Sequence, residues 1–494
     1  MEKFNIEAVT EHLKNVGVKT ASALRDLLVM KDSEGSSLDG ARARLEALFD
    51  RGTFSEIGTY VRKCSETEDK DGFESVICGW GAVNGQLVYA FSQDISRTSG
   101  AVSEAHAKKI CELYKLALRN GAPVIGIFDS AGALISEGVR ALAGYGRVMK
   151  AVNAASGVIP QIAIASGYTS GASAVICGMF DFVITSKKGS VSVNAPFIAD
   201  GAGSEDKMAE CGISAVTVED DAAAIAAAKE LLAYLPSNNA EGAPSEISSD
   251  RINREISLAD YETGKDMKKL IASFADDGKF VEVYAGYAEE AVTGFVSLGG
   301  SSVGIIATNY AVNGGVLTAK AARKASRMVS LLDSFNIPIL TIVDSIGLDK
   351  ALSSEFSPYS SELAKLASAY AAASTPLITV IAGEAYGSVF TVMGSKSLGA
   401  DIVLSLDSAK IASMNASSAV AFLWNDKIDG STTREDLENL WNNSVATPVE
   451  AASSGEIDDI IENSELRQRI GAAVMMLSSK SSESSVKRHL VMPL

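Results

Sequence analysis

Short, nearly continuous apolar runs alternate with amphipathic stretches along most of the chain. PVIGIFDS (123–130) and PQIAIAS (160–166) in the first half, and IPILTIVDS (337–345) and PLITVIAG (376–383) in the second, read as strands buried on both faces. HAKKICELYKLALRN (106–120) carries Ile110, Leu113, Leu116 and Leu118 at helical spacing, and further helix is predicted around 137–152. Strands that alternate with helices predict an α/β protein with a largely parallel sheet covered on both sides. ARARLEALFD (41–50) reads as a helix and Asn84-Gly85 as the turn of a type I′ hairpin, since both central residues tolerate positive φ. Ahead of these lie two predicted amphipathic helices, residues 6–15 and 20–30, and then polar KDSEGSSLDG (31–40).

The pattern is written twice. Gly79 and Gly294, Gly85 and Gly300, Pro123 and Pro338, and Asp129 and Asp344 each lie 215 residues apart, while Pro160 and Pro376, and Gly171 and Gly387, lie 216 apart. A duplicated unit predicts two related half-sites. The chain then divides into an N-terminal arm (1–40), a first copy (41–240), a linker (241–260) within the polar stretch 237–260, and a second copy (261–494) ending in polar SSKSSESSVKR and a terminal HLVMPL that could dock.

Composition narrows the function classes. A net charge of −17, from 44 basic against 61 acidic residues, argues against nucleic-acid binding, which needs a basic footprint. Lys187-Lys188 reads as a solvated turn. No run approaches the roughly 18 apolar residues of a membrane span, and the N-terminus lacks a signal-peptide core, so a soluble cytoplasmic protein is expected. The five cysteines include no CxxC pair and read as buried free thiols; with only three histidines (His12, His106, His489), neither a metal site nor a Ser-His-Asp system is expected. Gly300-Ser301-Ser302-Val303-Gly304 fits GxSxG but falls between two strand-like runs, so it reads as a hairpin turn. Met149-Lys150 matches the core of a biotin attachment sequence but lies in a predicted helix, so that reading is rejected. Asp129 and Asp344 could be paired acid-base carboxylates; an aspartate at a strand end more often caps the next helix.

The strongest candidate chemistry lies where the last buried strand of each copy turns into a helix. QIAIAS runs into GYTSGASAVICGMF and LITVIAG into EAYGSVFTVMGS. The first-turn N–H groups of such a helix have no intrahelical partner and form a place for an oxyanion. Gly171 and Gly387 occupy equivalent positions in the two copies.

Five segments together resemble the biotin-dependent acyl-CoA carboxyltransferase family, which includes the β subunits of propionyl-CoA and acetyl-CoA carboxylases and the α subunits of methylmalonyl-CoA and glutaconyl-CoA decarboxylases. They are ARARLEALFDRGTFSEIG, the stretch from LVYAFSQDISRTSG to VRALAGYG, LLAYLPSNN, SFNIPILTIVDSIG and AYGSVFTVMGSKSLGADIVLSLDSAKIASMNA. The resemblance implies two tandem crotonase-like (ClpP/crotonase) domains, an acyl-CoA side in the first copy and a biotin side in the second. Gly171 and Ala172 would then hold the thioester carbonyl, and Gly387, Ser388 and Val389 the biotin carbonyl, one oxyanion hole for each enolate. Ser130, Ala131, Gly132, Ala133 and Ile135 would contact CoA, and Gly347 would join the biotin side. Biotin would arrive on a biotin carboxyl carrier protein, with a biotin carboxylase or membrane decarboxylase subunits as further partners. The chain would form a homo-oligomer, a dimer at least and up to a hexamer, in which the first domain of one subunit faces the second domain of another. The family pattern is not complete: Leu134 stands where members usually carry arginine, and Ser345-Ile346-Gly347-Leu348 replaces a Pro-Gly-Phe type loop. A non-catalytic or scaffolding paralogue is therefore the alternative reading.

Overall fold

The computed structural model describes residues 38, 40–62, 73–194, 199, 201–429, 431–480 and 493. The two predicted N-terminal helices and the terminal HLVMPL, apart from residue 493, lie outside them.

Two mixed sheets of eight strands carry the fold, and they have the same topology. The first contains β1 (Ser55–Ile57), β2 (Val76–Val83), β3 (Gln86–Gln93), β4 (Val124–Ser130), β5 (Gln161–Ser170), β6 (Phe182–Ser186), β7 (Ser190–Ser192) and β8 (Val216–Val218). The second contains β9 (Phe280–Val283), β10 (Ala291–Leu298), β11 (Ser301–Thr308), β12 (Ile339–Ser345), β13 (Leu377–Tyr386), β14 (Ile402–Leu406), β15 (Lys410–Ala412) and β16 (Asp459–Ile461). Spatial order is β1-β2-β3-β4-β5-β6-β8 in one and β9-β10-β11-β12-β13-β14-β16 in the other, with β7 on β5 and β15 on β13. The first three strands of each sheet pair antiparallel and the rest parallel, the parallel part being the buried runs joined by crossovers.

The landmark residues explain themselves in this frame. A Cβ at Gly79 would sit 2.6 Å from the Ser55 carbonyl oxygen, and one at Gly294 would sit 2.2 Å from that of Val281, so the edge strand can cross close only over glycine. Asn84 and Gly85 take φ of 50° and 80° in the predicted hairpin turn, and Gly299-Gly300 turn the second hairpin, which accounts for the GxSxG pattern. Met149-Lys150 lies within helix Val139–Ala155. Lys187 and Lys188 sit exposed in the turn after β6.

Both halves share one core: Phe182 and Tyr234 from the first pack on the fully buried Phe295 of the second, at centroid distances of 6.0 and 5.8 Å. The stretch 241–258 holds no helix or strand, yet it is fastened to the second sheet. Ser302 N–H donates to the Pro244 carbonyl, Glu246 N–H donates to that of Gly300, and Ile256 and Leu258 are buried. Cys78 and Cys177 are buried as expected, whereas Cys211 is exposed and Cys111 only partly covered. Cys211 follows the short helix Glu205–Glu210, too brief to bury its end. Among the described residues no helix is long and apolar enough to cross a membrane.

Candidate active site

Strand β5 ends at Ser170 and helix Ala172–Gly178 follows; β13 ends at Tyr386 and helix Ser388–Val392 follows. The single residue between them is glycine in both cases, with φ 62° and ψ −127° at Gly171 and φ 59° and ψ −138° at Gly387. A side chain is strained in that conformation, so the turn itself demands glycine. Hydrogen bonds narrow the candidate donors. Gly171 N–H is spent on the Ser192 carbonyl of β7 (3.1 Å) and Gly387 N–H on the Ala412 carbonyl of β15 (3.0 Å). The first-turn N–H groups beyond them belong to Ala172 and Ser173 in one half and to Ser388 and Val389 in the other, and these lack intrahelical acceptors. Glycine makes the turn, and its successors present the donors.

A second loop faces each turn, and it too is duplicated. After β4, Ser130 Oγ accepts from Gly132 N–H (3.2 Å) and Ala131 N–H donates to the Ser99 carbonyl (3.0 Å). After β12, Ser345 Oγ accepts from Gly347 N–H (3.2 Å) and Ile346 N–H donates to the Gly314 carbonyl (3.0 Å). Val102 and Leu317 then bridge in parallel to Ala133 and Leu348. Val102 N–H donates to the Gly132 carbonyl (2.8 Å) and Leu134 N–H to the Val102 carbonyl (2.9 Å). In a parallel bridge the middle residue turns its own N–H to the other side, which makes Ala133 a further donor candidate and Leu348 its counterpart. Ser173 did not stand out in the sequence, and Leu348 did only as a departure from the family pattern, because a backbone donor leaves no mark on residue type.

The second half opens into a cavity of about 300 Å³ whose lining includes Ile346, Gly347, Leu348, Tyr386, Gly387 and Ser388. It thus brings together three of the four residues expected on that side; Val389, whose side chain is buried, contributes only backbone. On the first side Ser130 is buried, Ala131, Gly132 and Ala133 form the loop, and Ile135 is almost wholly exposed (91%) beside it. Leu134, at the position of the missing arginine, is buried.

The strand-end aspartates do not cap helices. Asp129 Oδ2 receives both terminal nitrogens of the buried Arg44 (3.1 Å each), and Arg44 Nε reaches Asp221 (3.0 Å). Asp344 instead accepts a short hydrogen bond from the Tyr261 hydroxyl and the Glu384 N–H (2.8 Å). Each carboxylate covers a glycine, Gly167 or Gly383, where a Cβ would lie 2.1 Å from its Oδ1. Burial pushes both carboxyls up; Arg44 opposes this at Asp129, and the Tyr261 hydroxyl, followed by the Glu384 N–H, opposes it at Asp344. These acids fasten the strand ends from behind, so their sequence signal was real and its cause structural.

Residues 33–492 match the family described as Carboxyl transferase domain. The chain belongs to this family. It is 35% identical over 476 residues to the propionyl-CoA carboxylase beta chain of Roseobacter denitrificans, covering 92% of this chain and 93% of that one. It is 36% identical to the methylmalonyl-CoA decarboxylase subunit alpha of Propionigenium modestum, at 92% and 93% coverage. A solved structure of the transcarboxylase 12S hexamer, with methylmalonyl-coenzyme A and methylmalonic acid bound, superposes with a TM-score of 0.88 at 33% identity, covering 92% of each chain. The two sheets are accordingly crotonase-like domains, and the chain is an enzyme, a carboxyltransferase of the biotin-dependent acyl-CoA carboxylase class.

Proposed function

We propose that the chain moves a carboxyl group between carboxybiotin on a partner carrier protein and the α-carbon of a short acyl-CoA, through one backbone oxyanion site in each half. The observation that carries this is the matched pair of glycine turns, each followed by first-turn N–H donors and faced by an equivalent loop. In the proposed division, residues 41–240 take the acyl-CoA, 261–494 take biotin and 241–260 join them. Ala172 and Ser173 N–H, with Ala133 N–H, hold the thioester oxygen as negative charge builds on it, and Ser388 and Val389 N–H serve the ureido oxygen. A single donor of this kind is typically worth about 10² to 10³ in rate.

The residues present fit biotin. The cavity of about 300 Å³ sits at the lower end of small-molecule sites, roughly 300–1,000 Å³. Bound there, biotin supplies the exchangeable carboxyl group and, after giving it up, a base for the α-proton. Side chains of this protein then need only bind and orient. His106 is fully buried behind the first sheet, between Ser75 Oγ and the Gln93 amide, where it holds structure. Loop residues Ser130 to Ala133 and Ile135 meet the CoA.

Oligomerisation is part of the proposal. Ile135, Val139 and Leu142 project beside the first half-site, and Leu352, Phe356 and Phe422 project beside the second; all six are exposed in the single chain. A head-to-tail dimer would cover both patches and set an acyl-CoA loop against a biotin cavity. The relatives' names, propionyl-CoA and methylmalonyl-CoA, favour a short acyl chain. Incubation of the purified protein with methylmalonyl-CoA or malonyl-CoA and free biotin tests the reading. Biotin-dependent loss of the CoA-linked carboxyl group is expected, and its absence with every short acyl-CoA overturns it.

A further inference from the structure

Behind each loop runs the same set of polar contacts, joined to the half-site through a backbone hydrogen bond to the loop glycine. In the first half, buried Lys109 donates to the Val76 carbonyl (2.6 Å) at the start of β2. Two residues earlier in the chain, Glu74 Oε1 accepts the Ser103 hydroxyl (2.7 Å). That hydroxyl accepts from His106 N–H (2.9 Å) and so caps helix Glu104–Asn120. The neighbouring Val102 N–H holds the Gly132 carbonyl of the loop.

The second half repeats every step. Lys324 donates to the Ala291 carbonyl (2.7 Å), and also to those of Tyr284 and Tyr287 (2.8 Å each). Glu290 Oε1 accepts the Thr318 hydroxyl, which caps helix Ala319–Ser334 by accepting from Ala321 N–H (3.1 Å). Leu317 N–H then holds the Gly347 carbonyl (3.1 Å). Lys109 and Lys324, Val76 and Ala291, Ser103 and Thr318, Val102 and Leu317, and Gly132 and Gly347 are all 215 apart, and the glutamates 216. Neighbouring residues have diverged meanwhile: the position of His106 is Ala321 in the second copy, and that of Gln93 is Thr308.

We propose that Glu74 and Glu290 are positioning residues, each fixing the cap hydroxyl beside its own half-site loop and thereby the placement of that loop's N–H groups. A Ser or Thr cap needs only its oxygen to satisfy the helix, so the hydroxyl proton would otherwise be free to rotate. A carboxylate that takes this proton forms a charge-assisted bond and locks the side chain. Glu74 is buried, and desolvating a carboxylate is costly in a way that helix capping alone does not require. The loop glycine, whose carbonyl is held by the N–H of the residue just before the cap, is what the lock steadies. Since each half has its own set, the two glutamates act on different loops.

Hydrogen–deuterium exchange of the full-length protein decides this without reference to activity. Glu74→Ala is expected to speed exchange over residues 130–137 at least about tenfold, with residues 345–350 unchanged, and Glu290→Ala to do the reverse. Glu74→Gln and Glu290→Gln keep a carbonyl acceptor and should restore most of the protection. Ser103→Ala, which deletes the hydroxyl and keeps the carboxylate, should act on the first loop as Glu74→Ala does. Faster exchange in both loops together, in neither loop, or equally in the Gln variants overturns the proposal. A kinetic arm rests on the carboxyl-transfer reading: Glu74→Ala should raise KM for methylmalonyl-CoA about tenfold and leave KM for biotin unchanged, and Glu290→Ala the opposite. A wild-type protein that transfers no carboxyl group would sink that reading, while the exchange experiment still decides this one.

Discussion

In the first half Leu134 N–H reaches the Val102 carbonyl directly, at 2.9 Å; in the second the hydroxyl of Tyr359 stands in that place, accepting from Asp349 N–H (2.8 Å) and donating to the Leu317 carbonyl (2.6 Å). The inserted phenol spreads the second loop, and Tyr359 and Asp349 both line the cavity of about 300 Å³ beside it. The strand-end acids diverge as well, Asp129 facing a guanidinium and Asp344 a phenol. Duplication therefore kept the glycine turns, backbone bridges and hydroxyl caps, and let the side chains that wall each site change. Two copies with one donor geometry and different walls suit two reactants that share an oxyanion and little else.

Substitutions at matched places in the two halves would break or sharpen this contrast. The largest effect on stability is expected at Arg44, which is buried between Asp129 and Asp221. Arg44→Met strands two buried carboxylates and should cost roughly 3–5 kcal/mol in denaturant unfolding, whereas Tyr261→Phe at the matching place in the second half should cost about 1–3 kcal/mol. Next come the donors themselves. Proline is tolerated at the first helical position and lacks the N–H, so Ala172→Pro and Ser388→Pro should each lower kcat/KM by about 10² to 10³ with little change in melting temperature.

A smaller, pH-dependent effect separates Asp181 from Asp401. Both accept a backbone N–H at 2.8 Å, from Gln161 and Leu377, but only Asp401 also pairs with a lysine, Lys480. Burial raises the Asp181 carboxyl to about 6, against which the Gln161 hydrogen bond and Arg327 pull only partly. A folded-state value above the unfolded one means that the folded state holds the proton more tightly, so stability is lost as pH rises from about 4 through 6. Asp181→Asn should therefore unfold later than wild type above pH 6, by roughly 1–3 kcal/mol, with the gap closing near pH 4. Asp401→Asn breaks the pair with Lys480 and should instead destabilise the protein. Tyr359→Phe is comparable or smaller in stability, about 1–3 kcal/mol for the two backbone groups it leaves unpaired, but should raise KM for biotin selectively.

Much of this architecture is visible in the chain because it rests on residues with no substitute. Gly79, Gly294, Gly171 and Gly387 sit where a side chain would clash or strain, and the spacing of such residues revealed both the repeat and the turns. The apolar runs gave the strands for the same reason, being buried on both faces. What the chain concealed is carried by backbone or by distant pairing. The donor roles proposed for Ser173, Ala133 and Leu348 rest on N–H groups that every residue but proline possesses, although Ala133 was already expected near CoA. The pairing of Arg44 with Asp129 spans 85 residues and has no local pattern, which is why a helix cap was the natural but mistaken expectation. Glu74 and Glu290 look like ordinary surface charges until the cap hydroxyls are placed beside them.

The central claim is that two copies of one donor geometry hold two different reactants. Amide exchange of the wild-type protein with methylmalonyl-CoA or with biotin added separately tests it most directly. The account predicts that methylmalonyl-CoA slows exchange at residues 130–137 and 171–175, and that biotin slows it at 346–350 and 387–391. Protection of the same segments by both ligands, or of neither pair, would contradict it.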